Sequence, residues 1–446
     1  MIAFLRKYTP KPVLSAYHFF VSKFAALIYG FPSNKMFVIG VTGTYGKSTT
    51  AGMISKICET TGHKVGLAST IQFQVGEKIW LNKTKMTMIG RFQLQKLLKE
   101  MVDTGCKYAI IETTSEGIRQ HRHKGINYDM IVFTLLKPEH IESHGGFENY
   151  KKAKGKLFTH MASSKKKNMA RIFGESRPNM PKTVLINLDD EHADYYLTLG
   201  TYEKWGFTTN NTQKSGVHTI AATTFSDDAV NQLTVDGMTL SLTMIGKHNL
   251  KNALAAYGVA KILGIDKEKT KKVLEEMKNM PGRLEFIEND KGLIALVDFA
   301  FEPATLALLY ESVQKIKYNR LIQVFGQAGG GRDKARRPIM GRMATEMADI
   351  IILTNEDPFD DDPMEIINEI AAGAIEKGKV LGKDLHIIPN RGEAIQKAVD
   401  LGQKGDLILV SGKGCEQAIV MKNRQLLPWD DRTALRKAFA AKKTLS

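Results

Sequence analysis

Met36-Phe37-Val38-Ile39-Gly40-Val41-Thr42-Gly43-Thr44-Tyr45-Gly46-Lys47-Ser48-Thr49-Thr50 is an apolar run that feeds a glycine-rich turn and then opens a helical pattern reaching about Thr61. A strand that delivers such a turn to a helix N-terminus aims several backbone N–H groups at one spot, where the helix dipole favours an anion. In that geometry Lys47 reaches the outer phosphates of a nucleotide and the Ser48 hydroxyl ligates Mg2+. The general P-loop pattern has glycine five residues before Gly46. Val41 stands there, so the stretch is the narrower variant Gly43-Thr-x-Gly-Lys-Ser-Thr-Thr. The plain alternative is a turn with a solvated lysine. The meeting of glycines, lysine and hydroxyls at one strand-to-helix junction weighs against it.

On both sides of this stretch strands and helices alternate. Strand-like runs at Met36–Gly40, Val65–Thr70, Tyr108–Glu112, Met130–Leu135 and Val184–Leu188 are separated by helical patterns such as Phe92–Thr104. This predicts an α/β fold with a mostly parallel sheet and ligands at the strand C-terminal ends. From about Tyr202 to Ile245 the period changes, and the alternating run Gln232–Leu242 predicts a short antiparallel excursion. Met280-Pro281-Gly282-Arg283 reads as a boundary, after which the alternation restarts. The expected organisation is an N-terminal helical extension (1–35), a central P-loop domain (36–279) and a smaller Rossmann-like domain (280–446). Length alone, at 446 residues, suggests about three domains.

Hydrophobic residues make up 43% of the chain, enough for real cores and against disorder. Lys+Arg 63 against Asp+Glu 47 leaves a net charge of +16, which favours acidic partners such as nucleotide phosphates, sugar diphosphates or an anionic surface. Lys165-Lys166-Lys167 is expected in a solvated loop. Nucleic acid is not expected, because basic residues are not interleaved with aromatics. Cys58, Cys106 and Cys415 are isolated, which fits a reducing compartment, with the cytoplasm as the default.

The first 35 residues allow three readings. Arg6, Lys7 and Lys11 precede the apolar run Val13 to Phe31, interrupted by His18 and Lys23. The first choice is an amphipathic helix packing Leu14, Tyr17, Val21, Phe24 and Ile28 on its own domain. A peripheral membrane contact comes second and a cleaved signal third, since export would separate a nucleotide site from ATP.

Further groups fall where ligands belong. Glu112 ends a strand beside the P-loop, well placed for Mg2+. His140 and His144, at i and i+4 with acidic neighbours, could bind a metal, and Lys154 follows in the amphipathic run Tyr150–Phe158. Asp189 and Asp190 read as a turn. Gly326 to Pro338, with Gly331-Arg332-Asp333-Lys334 and then Arg336 and Arg337, repeats the layout of strand, glycine turn and basic cluster without the lysine-hydroxyl ending. Its basic groups are expected to reach toward an anion on the first domain, which implies domain closure.

Together and in this order, the segments from about 36 to 446 resemble the Mur ligases, most closely the branch that adds the third residue to UDP-N-acetylmuramoyl-L-alanyl-D-glutamate. The resemblance implies that Thr44, Gly46, Lys47, Ser48 and Thr49 hold the ATP phosphates and a first Mg2+. Glu112 and His140 match metal ligands, and Lys154 matches a lysine that becomes carbamylated and helps hold a second Mg2+. Asn249 matches an adenine- and ribose-side asparagine. Arg283 is the hinge arginine, Asp298 opens the last domain's nucleotide contacts, and Arg332, Asp333 and Lys334 match its basic loop. Lys47, Lys154 and His140 are thereby the catalytic set. Thr87, Glu356, Asp357, Lys413 and Glu416 are the substrate set.

The implied reaction is ATP-dependent amide ligation. An acceptor carboxylate takes the γ-phosphate as an acyl phosphate, and the amine of a free amino acid displaces phosphate. The partners are a nucleotide-sugar peptide or related acidic acceptor and that amino acid. Tyr45, Glu116, Leu135, Phe301 and Cys415 replace an asparagine, a histidine, an asparagine and two histidines of the family pattern. Phe359 replaces an arginine, so diaminopimelate is not expected. Glu356 and Asp357, followed by Asp360, Asp361 and Asp362, suit a cationic amino acid such as lysine or ornithine. A solvated acidic loop is the alternative. The family's sugar-nucleotide domain has no counterpart of comparable length ahead of the P-loop strand. The alternatives are a ligase of this fold acting on a lipid-linked muropeptide, a folate or a cyanophycin-like chain, and a non-catalytic nucleotide-binding scaffold.

Overall fold

The computed structural model describes residues 10–138, 144–174, 179–226 and 231–442. They form two compact units, those within Met1–Thr243 and Lys247–Met277, and those within Met244–Gly246 and Lys278–Ser446.

The first unit is built on one sheet of eleven strands: Phe37–Thr42 (β1), Val65–Ala68 (β2), Gln72–Val75 (β3), Lys78–Leu81 (β4), Tyr108–Glu112 (β5), Met130–Phe133 (β6), Thr183–Asn187 (β7), Glu203–Thr208 (β8), His218–Ser226 (β9), Asn231–Val235 (β10) and Met238–Leu242 (β11). The order is β11-β10-β9-β8-β7-β6-β1-β5-β2-β3-β4. From β2 across to β9 every neighbouring pair is parallel, and antiparallel pairing is confined to the two ends. β1 and β5 are buried throughout, as a central parallel strand covered on both faces must be. Gly40 lies under the Tyr128 ring, where a Cβ would stand 2.9 Å from it.

One expectation for this unit is met and one is corrected. The antiparallel excursion falls on the alternating run 232–242, where β10 and β11 pair with each other antiparallel and β10 pairs antiparallel with β9. β8 and β9 extend the parallel sheet up to that point. Lys167 is not in solvent: it is buried beside Lys182, and both ammonium groups bind the buried carboxylate of Asp129. That carboxylate also accepts from Val38 N–H at 2.8 Å, while Lys167 donates to Met36 O at 2.8 Å, so the group anchors the start of β1. Burial lowers the Lys167 pKa to about 8.

The N-terminal helix, Lys11–Ile28, packs on the first unit, but by the opposite face to the one expected. His18, Ser22, Ala25 and Ala26 are buried, whereas Tyr17, Phe24 and Ile28 are exposed. The reason is close approach. A Cβ on Gly125 would lie 2.8 Å from Ser22 O and 3.3 Å from Ala26 Cβ, so only a face of small side chains fits there.

The second unit carries the sheet β12-β13-β17-β14-β15-β16: Glu285–Phe286 (β12), Ile294–Asp298 (β13), Leu321–Phe325 (β14), Ile350–Leu353 (β15), Leu385–Ile387 (β16) and Leu407–Ser411 (β17). All pairs except β12 with β13 are parallel. Apolar clusters fill both faces.

Candidate active site

Gly43 to Gly46 carry the chain from β1 into the helix Lys47–Glu59. Gly43 has φ +149°, and a Cβ there would fall 2.0 Å from Thr134 Oγ1. Gly46, the helix N-cap at φ +80°, would place a Cβ 2.4 Å from Asn252 Oδ1. Both glycines are therefore required by backbone conformation and by contact. Lys47 curls over the loop and donates to Thr44 O at 2.7 Å. The loop is sewn to the strand beside it: Thr44 N donates to Leu135 O at 2.7 Å, and Thr134 Oγ1 donates to Tyr45 O at 2.6 Å.

Glu112 is buried at the end of β5, next to β1. Ser48 Oγ donates to its Oε2 at 2.9 Å, Thr70 N donates to the same oxygen at 2.8 Å, and Thr70 Oγ1 donates to Oε1 at 2.9 Å. Thr70 Oγ1 is in turn 2.7 Å from Thr87 Oγ1. A hydroxyl and a carboxylate beside a phosphate-shaped loop form a hard oxygen donor set of the kind Mg2+ takes. The structure thus joins Ser48, Glu112 and Thr87 in one network. Among the described residues no group of three His, Cys, Asp or Glu side chains could hold a metal ion. His140 lies outside the described residues.

Lys154 sits on the helix Phe147–Ala162 and is buried. Its Nζ donates to Gly43 O at 2.7 Å and lies 4.7 Å from the centroid of the Tyr150 ring. Tyr150 OH is 3.1 Å from Thr44 Oγ1, so one helix face grips the loop through two side chains. On the other side, Asn249 is buried and accepts from Asn252 Nδ2 at 3.3 Å, and Asn252 accepts from Thr50 Oγ1 at 3.2 Å. Asp189 and Asp190 are taken up by backbone and threonine donors, as a turn requires.

In the second unit, Glu356, Asp357, Lys413 and Glu416 converge at the C-terminal ends of β15 and β17. Lys413 Nζ, fully buried, donates to Asp357 Oδ1 at 2.7 Å and to Glu416 Oε2 at 2.6 Å. Burial opposes the Lys413 charge, but the carboxylates of Glu416, Asp357 and Glu356 hold its pKa above the usual ammonium range. Glu356 is 4% exposed, and among the described residues its Oε2 has no hydrogen-bond partner. Burial raises its carboxyl to about 7; the Asp357 charge adds to the rise and Lys413 opposes it. Asp360, Asp361 and Asp362 do not share this cluster's work: they accept from the backbone N–H groups of Asn423, Gly330 and Met364.

Asp298 accepts from Leu284 N and Ala300 N at 2.8 and 2.7 Å, and burial raises its carboxyl. The Arg283 guanidinium stands 4.4 Å from the Phe299 ring centroid. The expected basic loop divides in two. Arg332 is exposed and Lys334 pairs with Glu365, whereas Arg336 and Arg337 are buried against Glu302 and Glu369 at 2.7 and 2.6 Å. The latter two are each engaged by a carboxylate and buried, so they are not exposed cations as the sequence reading expected.

Residues 41–260 match the Mur ligase middle domain and residues 282–414 the Mur ligase, glutamate ligase domain. The chain belongs to the Mur ligase family. Members of this family are ATP-dependent amide ligases, and this chain is one of them. It is 35% identical over 429 residues to the UDP-N-acetylmuramyl-tripeptide synthetase of Roseiflexus sp. (strain RS-1), covering 93% of this chain and 81% of that protein. It is 32% identical over 420 residues to the UDP-N-acetylmuramoyl-L-alanyl-D-glutamate–2,6-diaminopimelate ligase of Geobacillus kaustophilus, with coverage of 93% and 81%. A solved structure of a UDP-N-acetylmuramoyl-L-alanyl-D-glutamate–2,6-diaminopimelate ligase superimposes with a TM-score of 0.57 at 26% identity, over 91% of this chain and 78% of that one. Mycobacterium tuberculosis folylpolyglutamate synthase shares the fold, with a TM-score of 0.65 at 14% identity over 95% and 96%.

Against the Mur ligase pattern, three replaced positions pack within the fold. Phe301 meets Phe299 edge to face with centroids 5.0 Å apart. Cys415 is buried under Gly282, where a Cβ would come within 2.1 Å of its N. Phe359 packs on Gly330, the glycine turn of the basic loop. Sequence reading passed over Tyr150, Thr70, Thr134 and Asn252 as site residues. Asn252, three residues after Asn249, and Tyr150, four before Lys154, each left a local signal on the same helix face as its neighbour.

Proposed function

We propose that this Mur ligase joins a free amino acid bearing a cationic side chain to a carboxylate of a UDP-N-acetylmuramoyl-peptide acceptor, in the cytoplasm, as a step of peptidoglycan precursor synthesis. The observation that carries the nucleotide half is the buried Ser48–Glu112 pair at the mouth of the Gly43–Gly46 loop. The observation that favours a cationic amino acid is the unpartnered Glu356 Oε2 among Asp357 and Glu416.

The loop N–H groups bind the phosphates of ATP, and Lys47 exchanges Thr44 O for a phosphate oxygen. An acceptor carboxylate oxygen then attacks the γ-phosphorus and ADP leaves. The amine attacks the resulting acyl carbon, and inorganic phosphate and a proton depart. Ser48 and Glu112 would hold Mg2+, which supplies charge neutralisation between the two anions. Lys154 holds Gly43 in place by its hydrogen bond. A carbamylated Nζ keeps one N–H for that bond, so the modification the family makes is compatible with the observed contact. Arg332 and Lys334 are the exposed cations among the described residues of the second unit's loop and are read as ATP-side groups.

The test is ADP release by the purified protein with ATP, Mg2+ and UDP-N-acetylmuramoyl-L-alanyl-D-glutamate against a panel of amino acids, with Lys47→Ala as control. Turnover that needs the muropeptide and is fastest with lysine or ornithine is expected. Nucleotide binding without turnover on any pair would move the protein to another acceptor or to a scaffold role.

A further inference from the structure

The N-terminal helix turns its apolar stripe to solvent. Val13, Tyr17, Phe20, Phe24, Leu27 and Ile28 follow helical spacing and are all more than half exposed, Phe20 reaching 68%. Their direction is fixed, because the opposite face is wedged against Gly125 and held by the bond between Ser15 Oγ and His121 Nε2 at 2.7 Å. Phe92, on the neighbouring helix Arg91–Asp103, extends the stripe through an edge contact with Phe24 at 6.4 Å between centroids. A continuous aromatic and aliphatic face of this kind marks a docking site on a soluble unit.

What surrounds the stripe selects the partner. Lys23 lies on the helix itself, and Lys124 and Lys156 lie close by, none of them in an ion pair with another described residue. The Lys124 ammonium is pulled below its ordinary pKa, first by burial and then by the charges of Lys23 and Lys156, so the three cations share one field. Arg6, Lys7 and Lys11 add basic residues to the sequence just ahead of the stripe. A second copy of the chain would bring two such basic fields together, at a cost that its apolar contact must first overcome. No described helix is long and apolar enough to cross a membrane. A helix with one aromatic face, basic neighbours and a packed inner side fits the boundary between headgroups and acyl chains, lying parallel to the surface.

We propose that the outward face of the helix Lys11–Ile28, with Phe92, docks this ligase on an anionic lipid bilayer. The apolar side chains enter the interface, and Lys23, Lys124 and Lys156 meet the headgroup phosphates. This surface is independent of the ligase reading and is tested without turnover.

The experiment is flotation of the full chain with vesicles of phosphatidylglycerol and phosphatidylcholine in equal parts, and with phosphatidylcholine alone. Flotation with the anionic vesicles only is expected, weakening with salt. Phe20→Glu with Phe24→Glu should abolish it while the thermal transition stays in place, since neither ring is in the core. Lys23→Ala should lower the partition constant roughly fivefold, the worth of one near-surface cation. If the double variant fails to fold, Lys23→Glu, at an exposed position, provides the same test with a larger loss. Absence of flotation, or equal flotation with neutral vesicles, overturns the proposal. Loss of a concentration-dependent dimer in the double variant, without vesicle binding by the parent, assigns the face to a second copy instead.

Discussion

Ser48 Oγ and Glu112 Oε2 are 2.9 Å apart in buried surroundings, and Thr70 closes both carboxylate oxygens from the other side. Among the described residues every hydrogen bond to this carboxylate comes from a hydroxyl or a backbone N–H, a neutral shell that leaves the negative charge for a cation entering with the nucleotide. Glu112→Gln keeps the shape and removes that charge. We expect kcat for ADP release to fall at least about a hundredfold with little change in thermal stability. Ser48→Ala should instead shift the Mg2+ concentration needed for half-maximal rate upward, which a Mg2+ titration of the initial rate will read.

The bond from Lys154 to Gly43 O ties a buried ammonium to the first residue of the loop. Lys154→Ala leaves that carbonyl without this donor, at about 1–3 kcal/mol of stability, and removes the group the family carbamylates. We expect activity to be lost in Lys154→Ala and in Lys154→Arg alike. Short carboxylates should partly restore Lys154→Ala, and depletion of dissolved CO2 should slow only the parent. Rescue by acetate that is equal in the two variants would sink this reading.

Glu356 makes the second unit sensitive to pH. Its folded pKa, about 7, lies above the ordinary 4.5, so the folded state binds the proton more tightly than the unfolded state does. The resulting stabilisation is fully present below pH 4.5 and is lost as pH rises through 7, an effect on the order of 3 kcal/mol at most. Glu356→Gln should flatten the denaturant midpoint over this window. On the functional side, ionisation strengthens the hold on a cation, so KM for lysine or ornithine should fall between pH 6 and 8 in the parent and not in the variant.

The basic loop separates into an exposed arginine and a buried, carboxylate-paired couple. Arg337→Ala leaves Glu369 without its partner and opens a buried site, which should cost about 2–4 kcal/mol in urea unfolding. Arg332→Ala, at an exposed position, should change stability by no more than about 0.5 kcal/mol while raising KM for ATP.

The difference between these arginines shows where linear reading stops. Arg332, Arg336 and Arg337 stand within one short segment and look alike as residues. The carboxylate partners of Arg336 and Arg337, Glu302 and Glu369, lie more than thirty positions away in opposite directions. Lys167 fails for the same reason: its partner Asp129 comes from a different strand end. The N-terminal helix fails differently. Its amphipathic period is correct, but the period says only that two faces differ. Gly125, ninety and more positions downstream, decides which one packs.

By itself the sequence determined what depends on neighbours along the chain. The glycine turn between β1 and its helix, the parallel α/β grammar of both units, Glu112 at a strand end and the pairing of Glu356 with Asp357 all follow from local conformation and from periods of 2 and 3.6. Tertiary structure alone decided which charges are free and which are spent. The Ser48–Glu112–Thr70–Thr87 network, the grip of Lys154 and Tyr150 on the loop and the open oxygen of Glu356 join residues from separate crossovers. A hydrogen bond reaches only about 3 Å, so its existence is set by the packing that brings distant segments together and not by their order in the chain.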